Sequence, residues 1–319
     1  MKKLAGLLLA SLLVLTACGS NDNDTPAGET AALKIGTGIV TTESVTPATE
    51  EAEGKFSINT YYATIVLEGD KIVSTYIDVA QNSISFDLEG NITGESVPGT
   101  KKEQGDDYGM ATKNPAALAE WYVQIGNLED WTIGKTVAEV LAMETKEKDE
   151  AHPAVPTESD LTSKVTISVE GYLAAIEAAS KNAVEVEGAV QISTASTTAS
   201  KDGAIELNTN IAVIATDADG KVVHAFIDVM QSGATVAEDG TVAGKGILKT
   251  KGELGDDYGM GKNSDNEWYV QRDAYVEWLA GKTASEAAGE ADLPSTVTIT
   301  TSGFQAAVAK AFSSLENIK

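Results

Sequence analysis

DLTSKVTIS at residues 160–168 returns as DLPSTVTIT at residues 292–300, with six of the nine positions identical. Each copy has a Ser three residues after its Asp and a Thr three residues after that Ser, with Val and Ile flanking the Thr. A strand alone does not require this order, because Val, Ile and Thr favour β-structure in any order. The two stretches therefore predict strands that each hold one hydroxyl at a fixed place.

An alanine-rich segment with small and apolar residues at helical spacing follows each copy. Ser168 and Thr300 are predicted to be the N-caps of these helices. A phosphate on the motif Thr would then lie near a helix N-terminus, where unpaired N–H groups and the helix dipole favour an anion. Ordinary Thr-rich strands leading into helices are the alternative. Two copies, each before a helix at the end of a repeat, favour a functional role.

The pattern Asp-x-x-Ser-x-x-Thr followed by Ser or Thr resembles the flavinylation motif of the FMN-binding domain family. In that family the last Thr of the core motif carries FMN through a phosphoester bond. The resemblance implies two covalent FMN groups, one on Thr166 and one on Thr298. It also implies that a flavin transferase of the ApbE type recognises the Asp and Ser positions, which are Asp160, Ser163, Asp292 and Ser295.

A different tetrapeptide, Ser-Gly-Ala-Thr at 232–235, matches the commonest acceptor sequence of that family more closely. However, Asp228 lies seven residues before Thr235 instead of six, and no alanine-rich helix pattern follows. The first copy has NSIS in the same place. Thr235 therefore ranks below Thr298 as an acceptor.

The N-terminus has the pattern of a lipoprotein signal. Two lysines precede a short apolar run, and Leu-Thr-Ala-Cys at 15–18 reads as a lipobox. We expect residues 1–17 to be a signal peptide and Cys18 to be lipidated, with residues 18–31 forming a disordered tether. The expected location is the outer face of the cell membrane, on a lipid anchor.

Composition excludes several other classes of function. The net charge of −25 argues against nucleic-acid binding, which requires clustered Lys and Arg. Cys18 is the only cysteine, and His152 and His224 are the only histidines. We therefore expect no disulfide, iron–sulfur cluster, haem or metal site. A protein of this composition that transfers electrons needs a cofactor such as flavin.

Further segments repeat in the same order and predict two tandem duplicated domains, 32–182 and 183–319. The repeated segments are YIDVAQ (76–81) and FIDVMQ (226–231), TKKEQGDDYGM (100–110) and TKGELGDDYGM (250–260), and EWYVQ (120–124 and 267–271). The offset is 147 for EWYVQ and 132 for the Asp/Thr motif, so the first copy has 15 extra residues. They fall within 144–159, a charged, proline-bearing segment that we expect to be solvated and mobile.

Each copy is predicted to be an α+β domain with an antiparallel sheet and packed helices, like the FMN-binding domain. A strand at 58–67 or 207–216 leads through a tight turn into a strand at 71–80 or 221–230, which indicates a hairpin. A helix around EWYVQ and a short helix after Gly-Lys-Thr follow, and then the motif strand and the closing helix.

Two other groups of residues are second-rank site candidates. The GDDYGM segment is predicted to be a loop beside the cofactor, with candidate residues Asp107 and Tyr108 in the first copy and Asp257 and Tyr258 in the second. The alternative interpretation is a tight acidic turn without a role in binding. The indole rings of Trp121 and Trp268 offer flat faces for a flavin. Core packing is the commoner role of an aromatic residue in a helix.

The resemblance implies a membrane-anchored extracellular flavoprotein. It would accept electrons from a membrane quinone-linked donor and pass them to extracellular acceptors such as ferric iron. Nothing in the sequence supports substrate turnover by this chain alone, and its standing as an enzyme stays open. The alternative is a non-redox surface lipoprotein that binds a small ligand or a cell-wall component. A compatible further role is that the signal-peptide fragment ending at Ala17 acts as a pheromone.

Overall fold

The structure is a computed structural model that describes residues 32–318, except Ala116 and Ala151. The expected signal peptide, lipidated Cys18 and tether lie outside the described residues. Within the described part of the chain, no helix is long and apolar enough to span a membrane.

Twelve strands are described, and ten of them form two five-stranded antiparallel sheets. Their bounds are β1 (Leu33–Thr46), β2 (Gly54–Glu68), β3 (Lys71–Phe86), β4 (Ile92–Ser96), β5 (Thr145–Lys146), β6 (Val155–Pro156), β7 (Val184–Val186), β8 (Gln191–Lys201), β9 (Ala204–Thr216), β10 (Val222–Val236), β11 (Val242–Gly244) and β12 (Glu316–Asn317). The strand orders are β4-β3-β2-β1-β7 and β11-β10-β9-β8-β12. The predicted hairpins are confirmed as β2–β3 and β9–β10.

Nine α-helices are described, and four of them are long enough to cover a sheet. Their bounds are α1 (Lys101–Gln104), α2 (Met110–Lys113), α3 (Trp121–Thr132), α4 (Val137–Leu141), α5 (Glu170–Lys181), α6 (Lys251–Leu254), α7 (Trp268–Leu279), α8 (Ala284–Ala288) and α9 (Ser302–Ser313). The predicted helices around EWYVQ, after Gly-Lys-Thr and at the end of each copy are confirmed as α3 and α7, α4 and α8, and α5 and α9. The α+β class is likewise confirmed.

The two sheets pack face to face, and helices cover both outer faces. On β2, Ala63 and Ile65 pack in the core beneath the helices, together with Trp121 of α3. Thr64, which lies between them, faces the second sheet, and its Oγ1 accepts a hydrogen bond of 2.8 Å from Thr194 Oγ1. Because both faces are covered, residues 62–67 are all buried and show no alternation of burial. The described residues 32–318 consequently form one compact unit.

The strand β1 was not predicted from the sequence. Gly36 and Gly38 interrupt its apolar pattern, but both glycines are needed where α5 crosses the strand. A Cβ on Gly36 would lie 2.1 Å from the carbonyl oxygen of Ala179, and one on Gly38 would lie 2.2 Å from that of Ala175. The strand β7 pairs with β1 in the first sheet, although the predicted boundary at 182 assigns its residues to the second domain.

The prediction that the Asp/Thr motif forms a strand is wrong. Residues 159–164 are turns, and 165–169 have no regular structure before α5 begins. The β-preference of Val-Thr-Ile is overridden because Leu161 and Val165 are both buried in the helix–sheet core, and Val165 N donates to Leu161 O at 2.8 Å. The second copy is also irregular, with turns at 291–292 and 295–296 and no strand before α9.

The N-cap assignments are also wrong, since Val169 and Thr301 hold those positions and neither makes a side-chain cap. Ser168 instead accepts a hydrogen bond of 2.9 Å from Ala154 N, at the end of the 15-residue insertion. The insertion is exposed over 144–150, as expected, but its later part packs against the motif. Val155 and Pro156 are apolar and buried there, so that part is not a solvated loop.

Candidate functional site

Each motif Thr is bound to a glutamine of the repeated EWYVQ segment. Thr166 donates to Gln124 Oε1 from its backbone N, at 2.8 Å, and from its hydroxyl, at 3.2 Å. Thr298 makes the same two bonds to Gln271 Oε1, at 2.8 and 3.0 Å, and Ile299 N adds a third at 3.0 Å. The glutamine oxygen therefore accepts the bonds that a neighbouring strand would otherwise provide, which fixes the Thr without a sheet.

The other end of each glutamine is held as well. Gln124 and Gln271 are both fully buried. Their amide nitrogens donate to a backbone carbonyl, at 2.9 Å in the first half and 3.1 Å in the second, and to the Sδ atoms of Met110 and Met260, at 3.4 and 3.6 Å. These methionines end the GDDYGM segments. A buried amide with both ends satisfied is fixed in place, so it can position the Thr.

The glutamate that begins EWYVQ fastens the same segment. Glu120 accepts hydrogen bonds from Met110 N at 2.7 Å and from the next backbone N at 3.0 Å. Glu267 accepts the equivalent bonds at 2.9 and 2.8 Å from Met260 and its successor. The residue before each Met is a glycine with φ of 72° or 75°, a conformation that favours glycine. The final Gly-Met of GDDYGM therefore connects this segment to EWYVQ.

The aspartate of the repeated Ile-Asp-Val segment holds the start of the same loop. Asp78 Oδ1 accepts from Lys102 N at 3.1 Å. Asp228 accepts from Gly252 N at 2.9 Å and from the Thr250 hydroxyl at 2.7 Å. Burial raises the pKa of both carboxyls above the ordinary range. All four repeated segments thus meet at one place in each half.

Sequence reasoning missed the residues that join these segments. They are Glu120, Gln124, Glu267, Gln271, Asp78 and Asp228. The signal was present, because EWYVQ repeats without change, including its Glu and its Gln. The contact between Gln124 and Thr166 spans 42 residues, and local sequence patterns do not reveal such pairings.

The motif residues are placed where another macromolecule can reach them. Thr298 is exposed and Thr166 is half-buried, while Ser163 and Ser295 are exposed. Asp160 Oδ1, also exposed, accepts a hydrogen bond of 3.2 Å from the indole of Trp131. An acceptor hydroxyl for a modifying enzyme has to be accessible in this way.

In the second copy, the indole of Trp278 donates to the backbone oxygen of Ala291 at 3.1 Å. Asp292 has a φ of 60°, in the left-handed region that Asp adopts more readily than most residues. The motif aspartates therefore lie in different local environments in the two halves.

The GDDYGM tyrosines lie beside a partly buried lysine. Lys101 Nζ is 5.0 Å from the ring centre of Tyr108 and 5.5 Å from that of Trp121. Lys251 occupies the same place between Tyr258 and Trp268, at 4.9 and 5.6 Å. Burial lowers the pKa of both lysines to about 8. Asp107 and Asp257 are exposed, and Asp107 lines a neighbouring cavity.

The two tryptophans proposed as stacking platforms are core residues. Trp121 is 1% exposed and its indole donates to the Tyr172 hydroxyl at 2.9 Å. Trp268 is 3% exposed and contacts Phe304 edge to face. Neither ring has an open face, so core packing describes them better than flavin stacking.

A cavity of about 510 Å³ lies beside the first GDDYGM segment, on the side of the first sheet that faces the helices. Its lining includes Tyr108, Asn59 and Gln81. Small-molecule sites commonly have volumes of about 300–1,000 Å³ with a few polar groups. Gln124 connects the Thr166 hydroxyl to Met110, at the end of the segment that borders this cavity.

The remaining candidates do not form a site. Among residues 32–318, no group of three or more His, Cys, Asp or Glu is arranged to hold a metal ion. His152 Nδ1 lies 2.6 Å from Asp149 Oδ1 in the insertion, and burial lowers the pKa of His224 in β10 to about 4. Thr235 is exposed within β10, opposite Ala243 of β11.

Comparison with protein-family models, with curated proteins and with solved structures finds no match for this chain.

Proposed function

We propose that this protein is a membrane-anchored extracellular electron carrier with one covalent FMN on Thr166 and one on Thr298. The observation that carries the proposal is that the same hydroxyl of a repeated motif is bonded to the same glutamine in both halves. We further propose that the halves arose by tandem duplication of an FMN-binding-like domain. The common strand order of the two sheets supports this.

Attachment would be made by a second protein, since no group that could hold a phosphate-activating metal ion is found among residues 32–318. The Thr Oγ forms a bond to the phosphorus of an activated FMN phosphoanhydride held by an ApbE-type flavin transferase. The anhydride P–O bond breaks, the leaving group departs as a phosphate, and the hydroxyl proton passes to a base of the transferase. The exposed Asp160, Ser163 and Ser295 are suited to recognition by that enzyme.

The glutamine contact has two roles in this scheme. Before attachment, Gln124 holds both the N–H and the hydroxyl of Thr166. After attachment the Oγ atom has no proton to donate, but the N–H bond to the glutamine can persist. The backbone of Thr166 therefore stays in place, while its side chain, with the attached FMN, is free to rotate.

When bound, FMN would supply the redox chemistry, and the protein would supply attachment and shielding from solvent. Electrons would come from a membrane quinone-linked donor and leave to extracellular acceptors such as ferric iron. The lipid on Cys18 would keep the carrier at the outer face of the membrane. A net charge of −25 would limit non-specific association there.

The proposal is tested by the intact mass of residues 19–319 co-expressed with a flavin transferase. We expect two FMN increments in the wild type, one in each of Thr166→Ala and Thr298→Ala, and none in the double variant. A wild-type protein without any increment contradicts covalent flavin. An increment that survives in the double variant moves the site elsewhere, with Thr235 first to be replaced.

A second candidate function is the binding of a small polar ligand by a surface lipoprotein. It is favoured by a separate cavity of about 340 Å³ between the halves, lined by Thr75, Lys102, Glu129, Thr194 and other polar residues. A colourless protein that holds a ligand after co-expression would support this function over the first.

A further inference from the structure

We infer that the cavity of about 510 Å³ receives the isoalloxazine ring of the flavin on Thr166, and that the ring on Thr298 stays more exposed to solvent. This inference rests on the proposed function. The two flavins would then differ in their exposure to solvent, although their attachment sites are built alike.

The cavity and Thr166 lie at the same end of α5. Gly171, in the first turn of α5, packs against Tyr61 of β2, where an added Cβ would lie 2.9 Å from the ring. Side chains two residues apart on a strand share a face, so Asn59 is the next residue along β2 on the face that α5 covers. Asn59 lines the cavity, and Thr166 lies four residues before α5 begins.

The direction of α5 agrees with this placement. Its later residues, Ala179 and Ala175, pack on Gly36 and Gly38 of β1. Followed towards its N-terminus, the helix therefore advances along β1 towards Ser44, which lines the cavity. The chain from Thr166 enters α5 at the cavity end of the helix.

The contacts of Gln124 connect the acceptor to the cavity wall. Gln124 bonds Thr166 through Oε1 and Met110 through Nε2, and Tyr108 lies two residues before Met110. Tyr108 forms part of the wall. A ribityl phosphate on Thr166 is thus attached beside the segment that borders the space for the ring.

The lining suits a heterocycle with carbonyl and N–H groups at its edge. Asn59 and Gln81 present amides, which both donate and accept hydrogen bonds. Ser57 and Ser83, which pair across β2 and β3, add short hydroxyls to the same wall.

The second half differs from the first at one position that lines the cavity. Gln81 and Gln231 are equivalent in the repeat, and their ladder partners are Asn59 and Asn208. Two residues further along the strand, Ser57 in the first half corresponds to Glu206 in the second. A short hydroxyl that lines the cavity is therefore replaced by a carboxylate.

That carboxylate organises a network across the corresponding space. Glu206 is 4% exposed and accepts from Lys245 Nζ at 2.5 Å and from Gln231 Nε2 at 2.7 Å. The Tyr258 hydroxyl donates to Gln231 Oε1 at 3.0 Å. Burial alone would raise the pKa of the Glu206 carboxyl, but the bonds from Lys245 and Gln231 outweigh it, and the pKa is lowered. Insertion of a flavin ring here would break a charged, bonded network.

The test compares two proteins that each carry one flavin, Thr298→Ala and Thr166→Ala, by iodide quenching of flavin fluorescence. A pocket buries about 70–90% of a ligand, so we expect quenching in Thr298→Ala to be weaker by roughly threefold or more. Equal quenching in the two proteins overturns the inference. Absence of FMN from both proteins and from the wild type instead contradicts the proposed function.

A cavity-filling variant tests the location of the ring. We expect Ser57→Trp in the Thr298→Ala background to keep FMN on Thr166, as measured by mass, and to raise quenching to the level of Thr166→Ala. Ser57→Ala is the matched control and should leave quenching low. If Ser57→Trp does not fold, Ser57→Leu replaces it. Retained FMN with quenching unchanged by a folded, filled variant overturns the inference.

Discussion

The two halves of the molecule keep the same contact between Thr and Gln but surround it with different charges. In the first half, Lys102 of α1 pairs with Glu129 of α3 at 2.6 Å, near Asp78. In the second half, Gly252 stands in place of Lys102, and the cation comes from Arg272 of α7, 3.9 Å from Asp228. A Cβ on Gly252 would lie 2.7 Å from Arg272, so the glycine makes room for the arginine.

This exchange shows which parts of the site the fold must keep. A cation near the buried Asp is present in both halves, although it comes from a different helix in each. In contrast, the Asp, Glu, Gln and Thr that join the repeated segments keep both their identity and their contacts. The cation beside the buried Asp can therefore come from different helices, whereas the two bonds from Thr to the glutamine oxygen are present in both halves.

The largest expected effect separates the two sites within one molecule. We expect Gln124→Leu to lower FMN attachment at Thr166 by roughly tenfold or more, because loss of a buried acceptor costs about 1–3 kcal/mol and releases the Thr. Attachment at Thr298 should be unchanged and serves as the internal control for folding. Site-resolved mass spectrometry during co-expression measures both.

Gln271→Leu should give the mirror-image result, with loss at Thr298 alone. Equal loading of both sites in Gln124→Leu would show that the glutamine has no positioning role.

The next effect concerns the exchanged charges. We expect Lys102→Met to lower the free energy of unfolding by about 3–5 kcal/mol, because it leaves the carboxylate of Glu129 buried without its ion pair. Burial already raises the pKa of that carboxyl. Arg272→Met should cost less, because Asp228 keeps its bonds from Thr250 and Gly252. Denaturant unfolding followed by circular dichroism gives both values.

The double variant Lys102→Met with Glu129→Met is the control for this prediction. It removes both charges and should recover most of the lost stability. If it is as unstable as Lys102→Met, then the lysine acts through packing rather than through the ion pair.

The smallest effect is the pH dependence that His224 of β10 contributes to stability. Burial lowers the pKa of His224 to about 4, from 6.5 in an exposed site. Between these two pH values the imidazole is protonated in the unfolded chain and neutral in the folded chain. The contribution of His224 to the free energy of unfolding is therefore fully present above pH 6.5 and is lost as the pH falls. Through this residue we expect a loss of about 2 kcal/mol between pH 7 and pH 5.

Ser74 occupies the equivalent position in the first half, so His224→Ser provides the comparison. Its unfolding midpoint should change less between pH 7 and pH 5 than that of the wild type. Identical changes in the two proteins would show that His224 is not the group responsible.

The sequence predicted the hairpins and the helices because their signals are local. The Asp-Gly turn, the alternating strands and the alanine-rich spacing each act over a few residues. The motif strand failed because the buried side chains of Leu161 and Val165 and the amide of Gln124 override β-preference. The glycine-interrupted β1 was missed because its pattern reflects packing under α5.

The two candidate hydroxyls could be predicted from the sequence, but the contacts that hold them could not. A repeated hydroxyl pointed to Thr166 and Thr298. The partners lie 42 and 27 residues earlier in the chain, at positions that only the three-dimensional fold brings together. The tryptophans drew attention by their chemistry, yet it is Gln124 and Gln271 of the same segment that contact the Thr.

Tandem mass spectrometry of the wild-type protein, purified after co-expression with a flavin transferase, tests the central claim most directly. We expect the peptides that contain residues 160–168 and 292–300 to carry FMN phosphoesters on Thr166 and Thr298. Unmodified forms of both peptides, or FMN on Thr235 or another residue, would contradict the account.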